Sequence, residues 1–324
     1  MKNILLLSAG RRVELVQHFK EAATAQGRGT KIVAADAQLN APALFFADDR
    51  VLIHKVSHEN YLPRLIEVIR EFEVGLVVPT IDTELPVLAE FSQQIQEQSG
   101  AKVLVASEEV IKICNDKILT GRFFEENGFG CPVLYPDPSV LGDDDFPVFL
   151  KPKAGSSGIG ATPVFDRDDL NHLLSSTKDP MVQELVQGDE YTVDCFSDYT
   201  GEPVSIVPRV RLAVRGGEIL QGTIVRNSTI SDQVRKLLQL LRIPGPSTVQ
   251  CFLDGDNVKF IEVNPRFGGG APMSIAAGAN SCANLLTLLH GGEVAMNDSF
   301  KSGISFLRFD QSVCIGVDGE PVQL

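Results

Sequence analysis

The chain is short of positive charge: 29 lysines and arginines stand against 42 acidic residues, a net charge of −13 with a pI near 4.9. That balance excludes a broad nucleic-acid or anionic-membrane surface, so any anionic substrate must be met by local basic residues. The six cysteines, at 114, 131, 195, 251, 282 and 314, form no CxxC pair. Several sit inside apolar runs and read as buried, reduced thiols rather than as disulfides or a zinc site. No stretch reaches the roughly 18–20 apolar residues that a membrane span needs. The opening MKNILLLSAGRR has too short an apolar run for a signal peptide, so a cytoplasmic location is expected. General disorder is excluded as well, because 44 % of the 324 residues are apolar. That supports two or three domains of roughly 100–200 residues each.

What the first third does contain is alternation. Apolar runs at 4–7, 32–35, 51–53, 76–78 and 103–105 alternate with helical stripes. One stripe holds Val13, Val16, Phe19 and Ala23, another Leu62, Leu65, Ile66 and Ile69; a third helix is expected over 82–98. The pattern predicts an open, mainly parallel α/β sheet with helices on both faces. The dinucleotide fingerprint GxGxxG is missing, since Ser8-Ala9-Gly10-Arg11-Arg12 follows the first strand, and no nicotinamide or flavin site is expected. Arg11 and Arg12 nevertheless stand at the C-terminal end of a strand, where open sheets bind ligands. Asp36, at the end of the second strand, reads more as a turn or cap than as a ligand.

Beyond residue 106 the character changes. Ser107 should cap a short helix, and Asp116 should open another that Gly128 closes. Lys117 lies in the first turn, an unfavourable place for a cation unless it binds an anion. An apolar strand then delivers Lys151 and Lys153 into KPKAGSSGIG, 151–160. Such a loop lets backbone N–H groups approach phosphate oxygens while lysine supplies charge. The order is not that of the Walker motif, and taken alone the loop is equally a linker. MVQELVQGDEYTVDCF, 181–196, reads as strand, break, strand. Either it is a surface hairpin, or its edge and the carboxylates of Glu184 and Glu190 meet a purine and its ribose. The alternating runs 203–214 and 218–225 bring Arg209, Arg211 and Arg226, which with Arg11 are the candidates for an anionic substrate.

The chain is organised around TVQCFLDGDNVKFIEVNPRFGGG, 248–270. It reads as a hairpin with a three-residue loop, Gly255-Asp256-Asn257. In that register Asp254 faces Val258, Phe252 faces Phe260 and Gln250 faces Glu262. Gln250, Glu262 and Asn264 then share one face, and Val249, Cys251, Leu253, Ile261 and Val263 share the core face. A carboxylate between two carboxamides, with Arg266 just beyond, suits a hard cation such as Mg²⁺ that completes its shell with substrate phosphates. The plain alternative is a solvated polar face. A helix over 272–289 should present its N-terminus beside Gly268, Gly269 and Gly270, a place for a phosphate or carboxylate.

Taken in order, Lys117, the run 151–160, Gln183-Glu184-Leu185-Val186 with Glu190, Gln250, and Glu262-Val263-Asn264-Pro265-Arg266 resemble the ATP-grasp superfamily, in its carbamoyl-phosphate-synthetase-like branch. The resemblance implies an N-terminal α/β domain (1–114), an ATP-grasp lid (115–185) and a catalytic subdomain (186–324). It implies ATP as cofactor, held by Lys117, Lys151, Lys153, Gly155, Ser156, Ser157 and Gly158 at the phosphates. Glu184, Leu185 and Val186 would read adenine, and Glu190 the ribose. Two Mg²⁺ ions, with Mn²⁺ as substitute, would lie on Gln250, Glu262 and Asn264. Arg266, Lys151 and Asn264 would be the catalytic residues, with Arg266 at the transferred phosphoryl group. The implied reaction phosphorylates a small-molecule carboxylate to an acyl phosphate for attack by an amine or other nucleophile, releasing ADP and phosphate. The alternatives are a single-unit carbamoyl-phosphate synthetase component and a non-catalytic ATP-binding protein. The expected partners are those small molecules and, as an option, a second copy in a homodimer, with no nucleic acid and no membrane.

Overall fold

The computed structural model describes residues 2–154 and 158–322. Five parallel strands open the chain: β1 (Asn3–Leu6), β2 (Ile32–Asp36), β3 (Asp49–Leu52), β4 (Val74–Val78) and β5 (Lys102–Val103). Each overlaps an expected apolar run: the inner strands β1, β2 and β4 are buried on both faces and chiefly apolar, whereas the edge strands β3 and β5 carry Asp49, Arg50 and Lys102 and are less buried. One face carries Leu5, Leu7 and Val33 against helices α2 (Tyr61–Glu71) and α3 (Leu85–Ser99). The other packs Ile4, Leu6 and Ile32 on α1 (Val13–Gln26), together with Phe267, Leu285 and Leu286 from the far end of the chain. The strand order is β3-β2-β1-β4-β5. Connections therefore diverge between β1 and β4, and the loops after these two strands open a crevice. Asp36 is structural, accepting the N–H groups of Gly10 (2.8 Å) and Gln38 (3.0 Å).

Helices α4 (Glu108–Asn115) and α5 (Lys117–Glu126) follow, capped by Ser107 and Asp116 as expected. Asp116 accepts from the N–H groups of Ile118 and Leu119, putting a carboxylate at the same positive helix end as Lys117. Both helices lie on the later, six-stranded sheet, with the Phe124 ring 5.5 Å from Phe260. A small antiparallel sheet comes next, formed by β6 (Leu134–Tyr135), β7 (Val148–Pro152), β8 (Thr162–Val164) and β9 (Pro180–Glu184). With helix α6 (Arg167–Ser176) it encloses a minor core around Val148, Leu150, Leu170 and Val182.

The remaining strands make an antiparallel six-stranded sheet: β10 (Asp189–Ser197), β11 (Pro203–Arg215), β12 (Glu218–Ile224), β13 (Gly245–Asp254), β14 (Asn257–Asn264) and β15 (Ser305–Leu307), in the order β14-β13-β10-β11-β12-β15. Helix α7 (Ser228–Leu241) covers one face, seating Val234, Leu237 and Leu238 in a core with Val249, Cys251 and Val263. Strands β9 and β10 are not a hairpin. β9 pairs with β6 and β7, whereas β10 pairs with β11 and β13, so residues 185–188 cross between two sheets.

The central hairpin corrects the expected register. Asp254 pairs with Asn257, leaving a two-residue turn, and Phe252 faces Lys259 rather than Phe260. A bulge opposite Gln250 and Cys251 takes up one residue and restores Gln250 opposite Glu262 and Thr248 opposite Asn264. Phe260 is therefore the buried core residue, while Ile261 turns to the polar side. The expected helix over 272–289 is also broken. A short turn α8 (Ala271–Ser274) runs into an irregular segment, and helix α9 (Ser281–Leu289) starts afresh. Gly278 (φ 110°) and Asn280 (φ 53°) are left-handed, which apolar periodicity does not reveal. All six cysteines are free, and among the described residues no helix is long and apolar enough to cross a membrane.

Candidate active site

Two cavities meet at the polar face of the β13–β14 hairpin. The larger, about 520 Å³, lies between the small sheet and the six-stranded sheet. Lys117, Lys151, Gly158, Glu184, Leu185, Val186 and Glu190 line it, with Phe149, Phe252 and Ile261 as apolar walls. The smaller, about 280 Å³, lies between the hairpin, strands β11 and β12, and the crevice of the N-terminal sheet. Its walls include Arg12, Asp82, Arg209, Thr248, Asn264 and Arg266. Arg211, Gly217, Gln250 and Glu262 line both cavities.

The bulge lets Glu262 join this junction, and a chain of polar contacts fixes it. Asn264 Nδ2 donates to Glu262 Oε1 at 2.6 Å. Arg266 donates to Asn264 Oδ1 (3.1 Å) and to Asp82 Oδ2 (2.6 Å), tying the hairpin to the loop after β4. Opposite Glu262, Gln250 Oε1 accepts from Arg211 at 3.2 Å, and Arg211 lies 3.0 Å from Glu190. Burial raises the Glu190 carboxyl above its ordinary range, with Arg211 pulling it down and Glu262 pushing it up. Deeper in the sheet Arg209 grips Asp194 with two hydrogen bonds, 2.8 and 3.2 Å, and Ser274 joins them. A Cβ on Gly270 would lie 2.5 Å from Arg209 Nη2, so only glycine lets this guanidinium through.

Lys151 is buried, and burial first and Lys117 second lower its ammonium to about 8, against an upward pull from Glu262. Two lysines held together with one of them dehydrated make a site that gains from an anion. On the smaller cavity, Arg209 Nη1, Arg211 Nε, Thr248 Oγ1 and Arg266 Nε are buried with no partner among the described residues. Groups of this kind are costly to leave unpaired and call for ligand oxygens.

Not every candidate gathers here. Lys153 is exposed and lines neither cavity; its backbone bonds Asp179 and Lys117 at the edge of the small sheet. Arg226 lies elsewhere, stacked 4.5 Å over Phe300 and donating to the Phe300 carbonyl at 2.8 Å. Its partner is that aromatic ring, which corrects its place among the substrate residues. Arg11 is exposed and faces Asp310 at 3.3 Å, beside the smaller cavity but not in its wall. Glu184 forms a close ion pair with Lys259 and accepts from Val133 N–H at 3.1 Å, on the rim of the larger cavity. Gly155, Ser156 and Ser157 lie outside the described residues. Asp82, Thr248 and Glu218 were not singled out from the sequence. The divergence point between β1 and β4 could have signalled Asp82, since it follows β4 closely; nothing local marks Thr248 or Glu218.

Comparison with known proteins agrees with this layout. The family described as PylC-like, N-terminal domain matches residues 4–104, and the family described as ATP-grasp in the biosynthetic pathway with Ter operon matches 176–311. The chain is an ATP-grasp enzyme. Among similar proteins, carbamoyl-phosphate synthase of Methanobrevibacter smithii is 23 % identical over 245 residues, 67 % of this chain and 64 % of that protein. Formate-dependent phosphoribosylglycinamide formyltransferase of Prochlorococcus marinus is 28 % identical over 290 residues, 82 % of this chain and 70 % of that protein. The ATP-grasp chain thus spans less than two thirds of the first relative's length and somewhat more of the second's. Biotin carboxylase from Campylobacter jejuni superposes with a TM-score of 0.71 at 18 % identity, over 94 % of this chain and 74 % of that one. The expected fold, an open parallel domain followed by a two-part ATP-grasp unit, is the fold observed.

Proposed function

We propose that this ATP-grasp enzyme is an ADP-forming ligase that phosphorylates a small carboxylate and passes the acyl group to an amine. The observation that carries the reading is the shared wall: Gln250 and Glu262 face both the larger and the smaller cavity. ATP in the larger cavity would direct its γ-phosphate at that wall, with Lys117 and Lys151 on the phosphates and residues 184–186 beside the base. The carboxylate would lie in the smaller cavity, facing the unpaired donors of Arg209, Arg211 and Arg266.

The donor set also suits magnesium. Among the described residues no group of three His, Cys, Asp or Glu could hold a metal alone. Mg²⁺ is commonly held by one or two carboxylates plus substrate phosphates, and Glu262 with the carboxamides of Gln250 and Asn264 provides such a set. Both carboxamide oxygens now accept from arginines, so Arg211 and Arg266 would turn toward substrate oxygens when a cation, Mg²⁺ or Mn²⁺, is held. Bound there, the metal would neutralise phosphate charge.

In the first step a carboxylate oxygen attacks the γ-phosphorus, and the bond to ADP breaks with its electron pair leaving on ADP. Lys151 and Arg266 hold the oxygens on which charge accumulates. In the second, the nucleophile attacks the carbonyl carbon and phosphate departs. Closure of the small sheet would keep water from the acyl phosphate. The test is to incubate the enzyme with ATP, Mg²⁺, a panel of carboxylates and hydroxylamine. A hydroxamate formed in step with ADP is the expected result; AMP and pyrophosphate as products would overturn the reading.

A further inference from the structure

We infer that a third cavity, behind the proposed reaction site, receives the amine substrate, and that this amine carries an acid group held by Arg12. The inference rests on the ligase reading above. The cavity measures about 250 Å³ and shares Arg12, Ile81, Glu218, Gly268 and Gly269 with the proposed carboxylate cavity. Among the described residues it shares none with the nucleotide cavity. The three spaces therefore lie in a row: nucleotide, carboxylate, and this one. A carboxylate in the middle space meets the γ-phosphoryl group from one side. Its carbonyl carbon must then be reached by a second reactant held close and correctly oriented. The third cavity is a contiguous space away from the nucleotide, and the one that shares Arg12, Gly268 and Gly269 with the carboxylate cavity among the described residues.

Its wall describes that reactant. Arg308 is already balanced, 3.5 Å from Glu14 and 3.6 Å from Glu218. Arg12 is different. Its guanidinium donates to the Thr80 carbonyl at 2.8 Å and makes no ion pair among the described residues. Burial first, and Arg266 second, lower it to about 10, while Glu218 and Asp82 pull the other way. A dehydrated guanidinium beside a second one is stabilised by an acid group, and the fork of Arg fits carboxylate or phosphate oxygens. Glu218 supplies negative charge on the same wall: it lies 3.6 Å from Arg308, which Glu14 also holds at 3.5 Å, and its side chain is 57 % exposed. A cation anchor beside a carboxylate suits a molecule that carries both an amine and an acid, such as an amino acid or an aminoalkyl phosphate.

Chemically, the free amine attacks the acyl phosphate. A C–N bond forms, the C–O bond to phosphate breaks, and its electron pair leaves on phosphate. Glu218 takes the proton that the nitrogen sheds.

The test uses the full chain with Mg²⁺ and ADP, titrated with the proteinogenic amino acids and phosphoethanolamine. Each is compared with the matching amine that lacks the acid group, and binding is read by thermal shift and calorimetry. An acid-bearing amine should bind where its matched amine does not. Arg12→Gln should weaken that binding by about 10- to 100-fold, the worth of a charged hydrogen bond. Glu218→Gln, at an exposed side chain, should weaken the amino compound but leave the deaminated acid unaffected. ADP binding by both variants should match wild type. Equal binding of the matched amines, an unchanged response in Arg12→Gln, or no binding by any acid-bearing amine would each overturn the inference. Failure of the wild type to bind Mg²⁺ and ADP would instead overturn the ligase reading.

Discussion

Replacing Glu84 with glutamine should flatten the pH dependence of this protein's stability. Glu84 stands just before α3 behind the loop that follows β1, with 2 % of its surface exposed. Its Oε1 accepts from the Ser8 hydroxyl (2.8 Å) and the Tyr61 hydroxyl (3.2 Å), while Oε2 is buried without a partner among the described residues. Burial pushes the carboxyl from 4.5 up to about 7, the two hydroxyls pull it back, and Asp36 adds to the rise. Between those values the folded protein holds a proton that the unfolded chain has released, so stability falls as pH climbs through the window. Full ionisation costs about 3 kcal/mol, from roughly 1.4 kcal/mol for each tenfold change in proton affinity. Glutamine keeps the shape but cannot ionise. Any cost of its unpaired amide is the same at every pH and cancels in the comparison. Urea unfolding followed by circular dichroism at about pH 5 and about pH 8 measures the effect; the variant should gain roughly 2–3 kcal/mol over wild type across that interval. A variant-minus-wild-type difference that stays within about 0.5 kcal/mol would refute the assignment of a buried, proton-holding carboxyl.

Three further outcomes follow from the site. Glu262→Gln should remove nearly all ATP turnover while leaving circular dichroism and Tm close to wild type, because it deletes the one carboxylate common to both proposed substrate cavities; turnover within a few-fold of wild type would dismiss the metal assignment. Lys151 is charged below about 8 and loses its charge as pH rises through that value, so ADP affinity should decline above it. Lys151→Arg should hold its affinity across the same range by calorimetry, and matching profiles would count against a phosphate role. Amide exchange over 131–177 should slow when Mg²⁺ and a non-hydrolysable ATP analogue are added, since its small core gives cheap local opening; unchanged exchange at saturation would argue against a lid.

Much of this was legible in the chain, for identifiable reasons. Parallel strands buried on both faces must be chiefly apolar, which marks β1, β2 and β4 plainly, while the edge strands β3 and β5, with Asp49, Arg50 and Lys102, are marked over only part of their length. The pairing of Gln250 with Glu262 was recovered although the turn was read one residue too long. The bulge cancelled that error only beyond Ile261, which is why the polar end of the hairpin was right and its tip was not. The break in the last helix was hidden because Gly278 and Asn280 sit among apolar residues that keep a helical period on either side. Arg226 lies just past the end of β12, and a basic residue following an alternating run looks the same whether its partner is an anion or an aromatic ring.

What the sequence could least provide is contact across the chain. Arg266 and Asp82 are 184 residues apart, and no local pattern announces that they meet. Yet that contact decides how the site is assembled. Arg266 is held from two sides, by Asn264 on its own hairpin and by Asp82 from the N-terminal sheet. Asn264 in turn holds Glu262. The orientation of the proposed metal carboxylate is thus coupled through two intervening side chains to the docking of the N-terminal sheet, and Arg12 enters the same cavity from that sheet. Dividing the chain at residue 114 would leave a hairpin with its polar pattern intact. It would lack the acid that steers its arginine and the cation that completes its neighbouring cavity, so in the proposed reaction the N-terminal sheet would serve the chemistry as well as the scaffold.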